Sequence, residues 1–197
     1  MANLITFSRF PLMFLYVALL YFGNSTVLFW CIPLIAIIFF MDTVDGYVAR
    51  VRGETSLLGS AFDIATDRTL EIVLWVVFSD LKLVPILIPI IAIVRGTTVD
   101  AVRAVGISKG VAAFEQVQHP LSRMLVSSRF MRHLYGIVKG VAFVLLTINL
   151  WALKVDLLSA GLIHGIALTV SWLAISMTIA RGLPVLLEGY ALFRVRA

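Results

Sequence analysis

Long apolar blocks separated by short polar interruptions set the pattern of this chain. No charge occurs from Phe10 to Phe22 or from Gly23 to Met41, and further apolar runs end at Phe78, Val94, Leu153 and Ala180. A helix of about 20 apolar residues crosses a bilayer and satisfies its own backbone hydrogen bonds, so these blocks predict membrane helices. Six are expected. An amphipathic N-terminal segment leads into the first, which ends at Phe22 before the turn Gly23-Asn24-Ser25. The second covers Val27 to about Arg50 with a kink at Pro33, and the third runs from about Thr55 to Phe78. Ser79 to Lys82 makes a short outer loop, and the fourth helix covers about Val84 to Gly106. Residues Ile107 to Phe130 are less apolar and predict a surface loop with a short helix. The fifth helix spans Met131 to Leu153, the sixth Asp156 to Ala180, and Arg181 to Arg196 reads as an interfacial tail helix.

Composition agrees with that pattern. The chain is 61% hydrophobic with mean hydropathy +1.03, which places residues 1–197 in one all-α integral membrane domain, a six-helix bundle. An even number of spans puts both termini on one side. On that arrangement 14 of the 16 Lys and Arg residues lie on or near the side of Arg50, and only Lys82 and Lys154 lie opposite. The positive-inside rule makes that side cytoplasmic, in a multi-pass protein of the cytoplasmic membrane. The pI near 9.7 then points to anionic lipid and phosphorylated substrates, not to nucleic acid. The single cysteine, Cys31, supports neither a disulfide nor a thiolate site within the chain. The N-terminal block lacks a small-residue cleavage site, so it is expected to be a membrane helix and not a signal peptide.

Four aspartates interrupt this apolar background between positions 42 and 67. An Asp at the bilayer centre costs roughly 3 kcal/mol, so four without partners would cost on the order of 10 kcal/mol. Arg50 and Arg68 are the nearest cations and cannot neutralise four carboxylates. On a helix, Asp42, Asp45, Gly46 and Ala49 share one stripe, as do Gly59, Asp63, Asp67 and Glu71 on the next. Gly53 breaks the first helix and Thr55 or Ser56 can cap the second. In a hairpin turning there, both stripes reach a depth of roughly 12 to 15 Å from the turn. Carboxylate oxygens gathered at one depth suit a hard cation such as Mg²⁺ or Mn²⁺, and the small residues beside them leave room for a ligand.

The full pattern, Asp42-x2-Asp45-Gly46-x2-Ala49-Arg50-x8-Gly59-x3-Asp63-x3-Asp67, resembles the signature of the CDP-alcohol phosphotransferases, also called CDP-alcohol phosphatidyltransferases, at every fixed position. The resemblance implies transfer of the phosphatidyl group of a CDP-linked lipid, CDP-diacylglycerol, to an alcohol acceptor with release of CMP, in phospholipid biosynthesis. It implies that Asp42, Asp45 and Asp63 bind a pair of Mg²⁺ or Mn²⁺ ions. Asp67 joins them as ligand and is the base that takes the acceptor proton. Gly46, Ala49, Arg50, Gly59 and Ser60 would line the CDP pocket. It also favours a homodimer. The Asn3-x2-Thr6-x2-Arg9 spacing resembles the start of phosphatidylglycerophosphate synthases.

Arg95 and Arg103 on the fourth helix and Lys139 on the fifth lie inside apolar segments, where cations are rarely idle. They read either as a cradle for an acceptor phosphate or as partners of Asp100, Glu71 or lipid headgroups. Their spacing is similar to that of phosphatidylglycerophosphate synthases, which implies glycerol 3-phosphate as acceptor. Gly96 and the stretch Gly136-Ile-Val-Lys139-Gly140 depart from that subfamily and leave inositol phosphate or serine open. A different class, a small cation transporter, would also use intramembrane acids, but such proteins commonly show repeated halves, and none is detectable here. The pairs Gly106/Gly110, Gly136/Gly140 and Gly161/Gly165 allow close helix approach, first within the chain and second between copies.

Overall fold

The computed structural model describes residues 2–52, 57–108 and 119–194, and within them the side chains of 7–41, 64–105, 119, 122–126, 128 and 130–188. The regular structure there is helical throughout: α1 (Ala2–Phe22), α2 (Ser25–Arg52), α3 (Leu57–Asp80), α4 (Leu87–Ser108), α5 (Pro120–Ser127), α6 (Arg129–Lys154) and α7 (Ala160–Arg194). Local chemistry sets the turns. The Gly23 N–H bonds to the Leu19 carbonyl at 2.9 Å, and a Cβ on Gly23 would sit 2.4 Å from that oxygen and 2.8 Å from Val27 Cγ1. Only glycine fits. Asn24 then caps α2, its Oδ1 accepting the Val27 N–H at 2.9 Å.

The ends of α3 and α6 close in the same way. Leu83 N–H reaches the Phe78 carbonyl and Lys82 N–H that of Ser79; Leu157 N–H reaches Ala152 and Asp156 N–H reaches Leu153. This is the Schellman pattern, and its left-handed position is filled here by Lys82 (φ 61°) and Asp156 (φ 53°), not by glycine. Pro85 precedes α4 and Pro89 stands in its first turn, where a missing N–H leaves no intrahelical bond unmade.

The core centres on Phe143 of α6. Trp75 and Phe78 of α3 lie 4.5 and 6.0 Å from its ring, and Phe39 of α2 stacks at 5.6 Å. These contacts seat α6 against both helices that carry the acidic pattern. Tyr16 of α1 joins the same core. Because the Thr147 hydroxyl donates to the Phe143 carbonyl at 2.8 Å, Tyr16 is the donor in its 2.6 Å bond to Thr147. A smaller cluster of Val99, Val126 and Val185 joins α4, α5 and α7.

Phe14, Trp30 and Phe40 are each 66% exposed, a surface suited to lipid and not to water. Phe130–Lys154 and Ala160–Glu188 are each long and apolar enough to cross a membrane, and Phe7–Phe22 and Ser25–Met41 are shorter apolar stretches.

Three differences from the sequence reading stand out. The expected amphipathic entry and first span are one helix, α1, which passes through Pro11. The expected interfacial tail is the unbroken continuation of α7, through Pro184 to Arg194. A single proline removes one hydrogen bond, and packing of Val185 and Gly182 inside the bundle holds the helix across it. Among the described residues nothing lies within 4 Å of a Cβ at any of Gly136, Gly140, Gly161 and Gly165, so no packing partner within the chain is seen there for these two pairs. Gly110, the second member of the pair Gly106/Gly110, and the caps Thr55 and Ser56 lie outside the described residues.

Candidate active site

The acidic pattern begins on the last turns of α2 and continues along α3. The backbone is helical at Asp42, Asp45, Gly46, Ala49, Arg50, Gly59, Ser60 and Asp63, so the expected i, i+3 and i, i+4 spacings hold; the side chains at these positions lie outside the described residues. Asp67 is described. Among the described residues no three His, Cys, Asp or Glu side chains gather around a common point, and three of the four expected ligands are not among them.

Asp67 and Glu71 stand one turn apart on α3, and Tyr135 and Lys139 one turn apart on α6. These four side chains interlock. Lys139 Nζ lies 3.3 Å from both Oδ1 and Oδ2 of Asp67 and 3.4 Å from Oε2 of Glu71. The Tyr135 hydroxyl donates to Glu71 Oε1 at 2.6 Å and accepts from the Thr178 hydroxyl of α7 at 2.9 Å. Lys139 and Glu71 are buried, at 4% and 2% exposure, whereas the Asp67 side chain is 41% exposed. Arg68 extends the network to α4, with Nη1 3.3 Å from Glu71 and Nε 3.2 Å from Asp100. Its side chain passes over Gly96, where a Cβ would stand 3.1 Å from Arg68 Cδ. A side chain at position 96 would press on Arg68.

A group of arginines adjoins this network. Arg95 crosses α7 at Gly182, where a Cβ would lie 2.6 Å from Arg95 Nε and 2.8 Å from Cγ. Arg181 of α7 holds its guanidinium 5.1 Å from the Tyr135 ring centroid, while Lys139 lies 5.4 Å from the same centroid. Arg181 Nε also donates to the Leu125 carbonyl of α5 at 3.3 Å. Arg95 runs beside the residue that follows Arg181 in α7, and Arg103 follows about two turns later on α4. Like charges held together inside a bundle attract a counter-anion, and Arg95 Nε is buried with no hydrogen-bond acceptor among the described residues.

Of the three cations expected to cradle an acceptor phosphate, Arg95 and Arg103 fall in the arginine group and Lys139 sits against Asp67 and Glu71. Pairing of Lys139 with Glu71 was the alternative open in the sequence, and the geometry has it. Sequence reasoning missed Tyr135, Thr178 and Arg181. The available signals were the one-turn spacing of Tyr135 from Lys139 and an arginine at the end of the apolar run of α7. The arrangement offers a partly exposed carboxylate able to accept a proton, held by Lys139, and an anion-binding guanidinium, that of Arg181, at the Tyr135 ring.

A comparison with the curated proteins found no match. The family model described as CDP-alcohol phosphatidyltransferase matches residues 1–180, which include the acidic pattern of α2 and α3 and the Asp67–Glu71–Tyr135–Lys139 network. The chain therefore belongs to the CDP-alcohol phosphatidyltransferase family, membrane-associated and generally metal-dependent transferases that move a phosphatidyl group from a CDP-alcohol to an alcohol acceptor.

Proposed function

We propose that the protein is a phosphatidyltransferase of phospholipid synthesis that uses CDP-diacylglycerol, with glycerol 3-phosphate as its first acceptor and inositol phosphate or serine as the alternatives. The acceptor hydroxyl oxygen forms a bond to the phosphorus that carries diacylglycerol. The bond from that phosphorus to the CMP oxygen breaks, CMP leaves, and the hydroxyl proton passes to Asp67. The observation that carries this reading is the setting of Asp67: a partly exposed carboxylate at the end of the signature, held at both oxygens by Lys139. A positioned base of this kind makes an alcohol nucleophilic.

Arg95, Arg103 and Arg181 bind the phosphate of the acceptor, with Lys139 nearest the base. Guanidinium forks give bidentate contacts to phosphate. Asp42, Asp45, Asp63 and Asp67 would hold the divalent ions, Mg²⁺ or Mn²⁺, since an all-carboxylate donor set fits a hard cation. When bound, such ions neutralise charge on the pyrophosphate. Gly46, Ala49, Arg50, Gly59 and Ser60 would receive the CDP moiety. Six spans with both termini and the site on the cytoplasmic side fit the distribution of Lys and Arg. The open glycine faces of α6 and α7 support a homodimer.

The test is an acceptor screen on the purified full chain. CMP release from CDP-diacylglycerol is measured with glycerol 3-phosphate, inositol phosphate and serine added one at a time. Release with a phosphorylated acceptor is expected; no release with any of them removes the assignment.

A further inference from the structure

Glu71 lies outside the eight-position signature, yet three donors from two helices converge on it. Its Oε1 accepts from Tyr135 at 2.6 Å, and its Oε2 accepts from Arg68 Nη1 at 3.3 Å and Lys139 Nζ at 3.4 Å. At 2% exposure, with both oxygens engaged, Glu71 is not placed to touch a substrate. Its neighbour one turn earlier is Asp67, and the link between the two is a single buried ammonium. Lys139 stands at the same distance, 3.3 Å, from both oxygens of Asp67. An ammonium set symmetrically across a carboxylate resists rotation of that carboxylate, since rotation lengthens one of the two contacts. Glu71 is the second carboxylate that holds the ammonium in place. Tyr135 completes the frame: its hydroxyl uses its donor on Glu71 and accepts from Thr178, which ties α3 and α6 to α7.

We propose that Glu71 is a positioning residue for the transfer reaction: with Tyr135 it fixes the Lys139 ammonium and, through it, the orientation of the Asp67 carboxylate toward the acceptor hydroxyl. This rests on the reading of Asp67 as proton acceptor given above. A network acting as one unit loses its effect when any member is removed, so its members are not additive. Glu71→Gln keeps the shape and an acceptor for Tyr135 but removes the charge that holds Lys139. Tyr135→Phe keeps the ring between Lys139 and Arg181 and removes one oxygen.

The experiment compares wild-type enzyme, Glu71→Gln, Tyr135→Phe and the double variant, each reconstituted as the full chain in lipid. Values of kcat are normalised to bound CDP-diacylglycerol, and KM is measured for both substrates. Each single variant is expected to lower kcat about tenfold, with KM for CDP-diacylglycerol within about twofold and the double variant no worse than the poorer single one. A merely structural role would reduce the number of binding sites and leave normalised kcat unchanged. Values of kcat within twofold of wild type, multiplicative losses in the double variant, or a loss confined to the KM for CDP-diacylglycerol would each overturn the proposal. If Glu71→Gln does not accumulate, Tyr135→Phe carries the test against the same kcat and KM thresholds. Wild-type enzyme that releases no CMP sinks the transfer reading, and the positioning role with it. An active wild type with unchanged variants sinks the positioning role alone.

Discussion

Replacing Gly182 by alanine separates stability from substrate binding in a way that follows from the packing of one side chain. An added Cβ would stand 2.6 Å from Arg95 Nε, 2.8 Å from Cγ and 3.2 Å from Cδ. The clash falls on the near part of the arginine, so the whole side chain must leave its path across α7. Forcing it off its rotamer costs about 0.5–1.5 kcal/mol, while alanine in place of glycine inside a helix gains about 1 kcal/mol. The two nearly cancel, and the thermal midpoint should move by no more than about 4 °C. Binding of the acceptor should not be spared. Losing a charge-assisted contact to the acceptor phosphate costs about 1.5–3 kcal/mol, which at about 1.4 kcal/mol per decade raises KM about 10- to 100-fold. The assay is CMP release at saturating CDP-diacylglycerol with the acceptor varied, beside a melting curve of the same preparation. Arg95→Ala should give a similar rise, and the double variant should add little, since both remove one contact. An acceptor KM within twofold of wild type in Gly182→Ala, with Arg95→Ala strongly impaired, would refute the packing argument. Both unchanged would remove Arg95 from the acceptor site.

Two further expectations follow from other parts of the molecule. Asp67→Asn keeps the shape of the carboxylate and removes its basicity, and kcat should fall about 10²- to 10⁴-fold in the CMP assay. A fall of less than about tenfold would take the proton-accepting role away from Asp67. Lys82→Gly relieves a left-handed residue in the loop after α3 and should raise stability by about 0.5–1 kcal/mol, read as a higher thermal midpoint with unchanged kcat. A lower midpoint would mean that the Lys82 side chain makes contacts worth more than the backbone strain.

Much of the fold was readable from the chain because apolar block length and turn chemistry act locally. The helix expected over Val27 to Arg50 is Ser25–Arg52, and that expected over Met131 to Leu153 is Arg129–Lys154. The acidic signature was readable for a related reason: its spacings are helical periods, and the backbone confirms the helices. What escaped depends on which helices meet. Lys139 and Asp67 are 72 positions apart, so no local pattern announces that the lysine turns to a carboxylate. Tyr135 in an apolar helix carries no signal of its own until Glu71 and Thr178 are brought to it. Charges from Arg181 onward read as a surface tail, yet Arg181 folds back over Tyr135 and α7 continues beneath it. The glycine pairs show the converse failure. Spacing marks a face that allows close approach, but only the packed bundle shows Gly136, Gly140, Gly161 and Gly165 uncovered by the described residues.

The most direct test of the account is the dependence of CMP release on divalent cation. Purified full-length protein is given CDP-diacylglycerol and the acceptor identified in the screen, first in excess chelator and then with Mg²⁺ or Mn²⁺ restored. Carboxylates that hold ions against a pyrophosphate predict no CMP in chelator and full recovery when the ion returns. CMP formation that continues undiminished in chelator would contradict it.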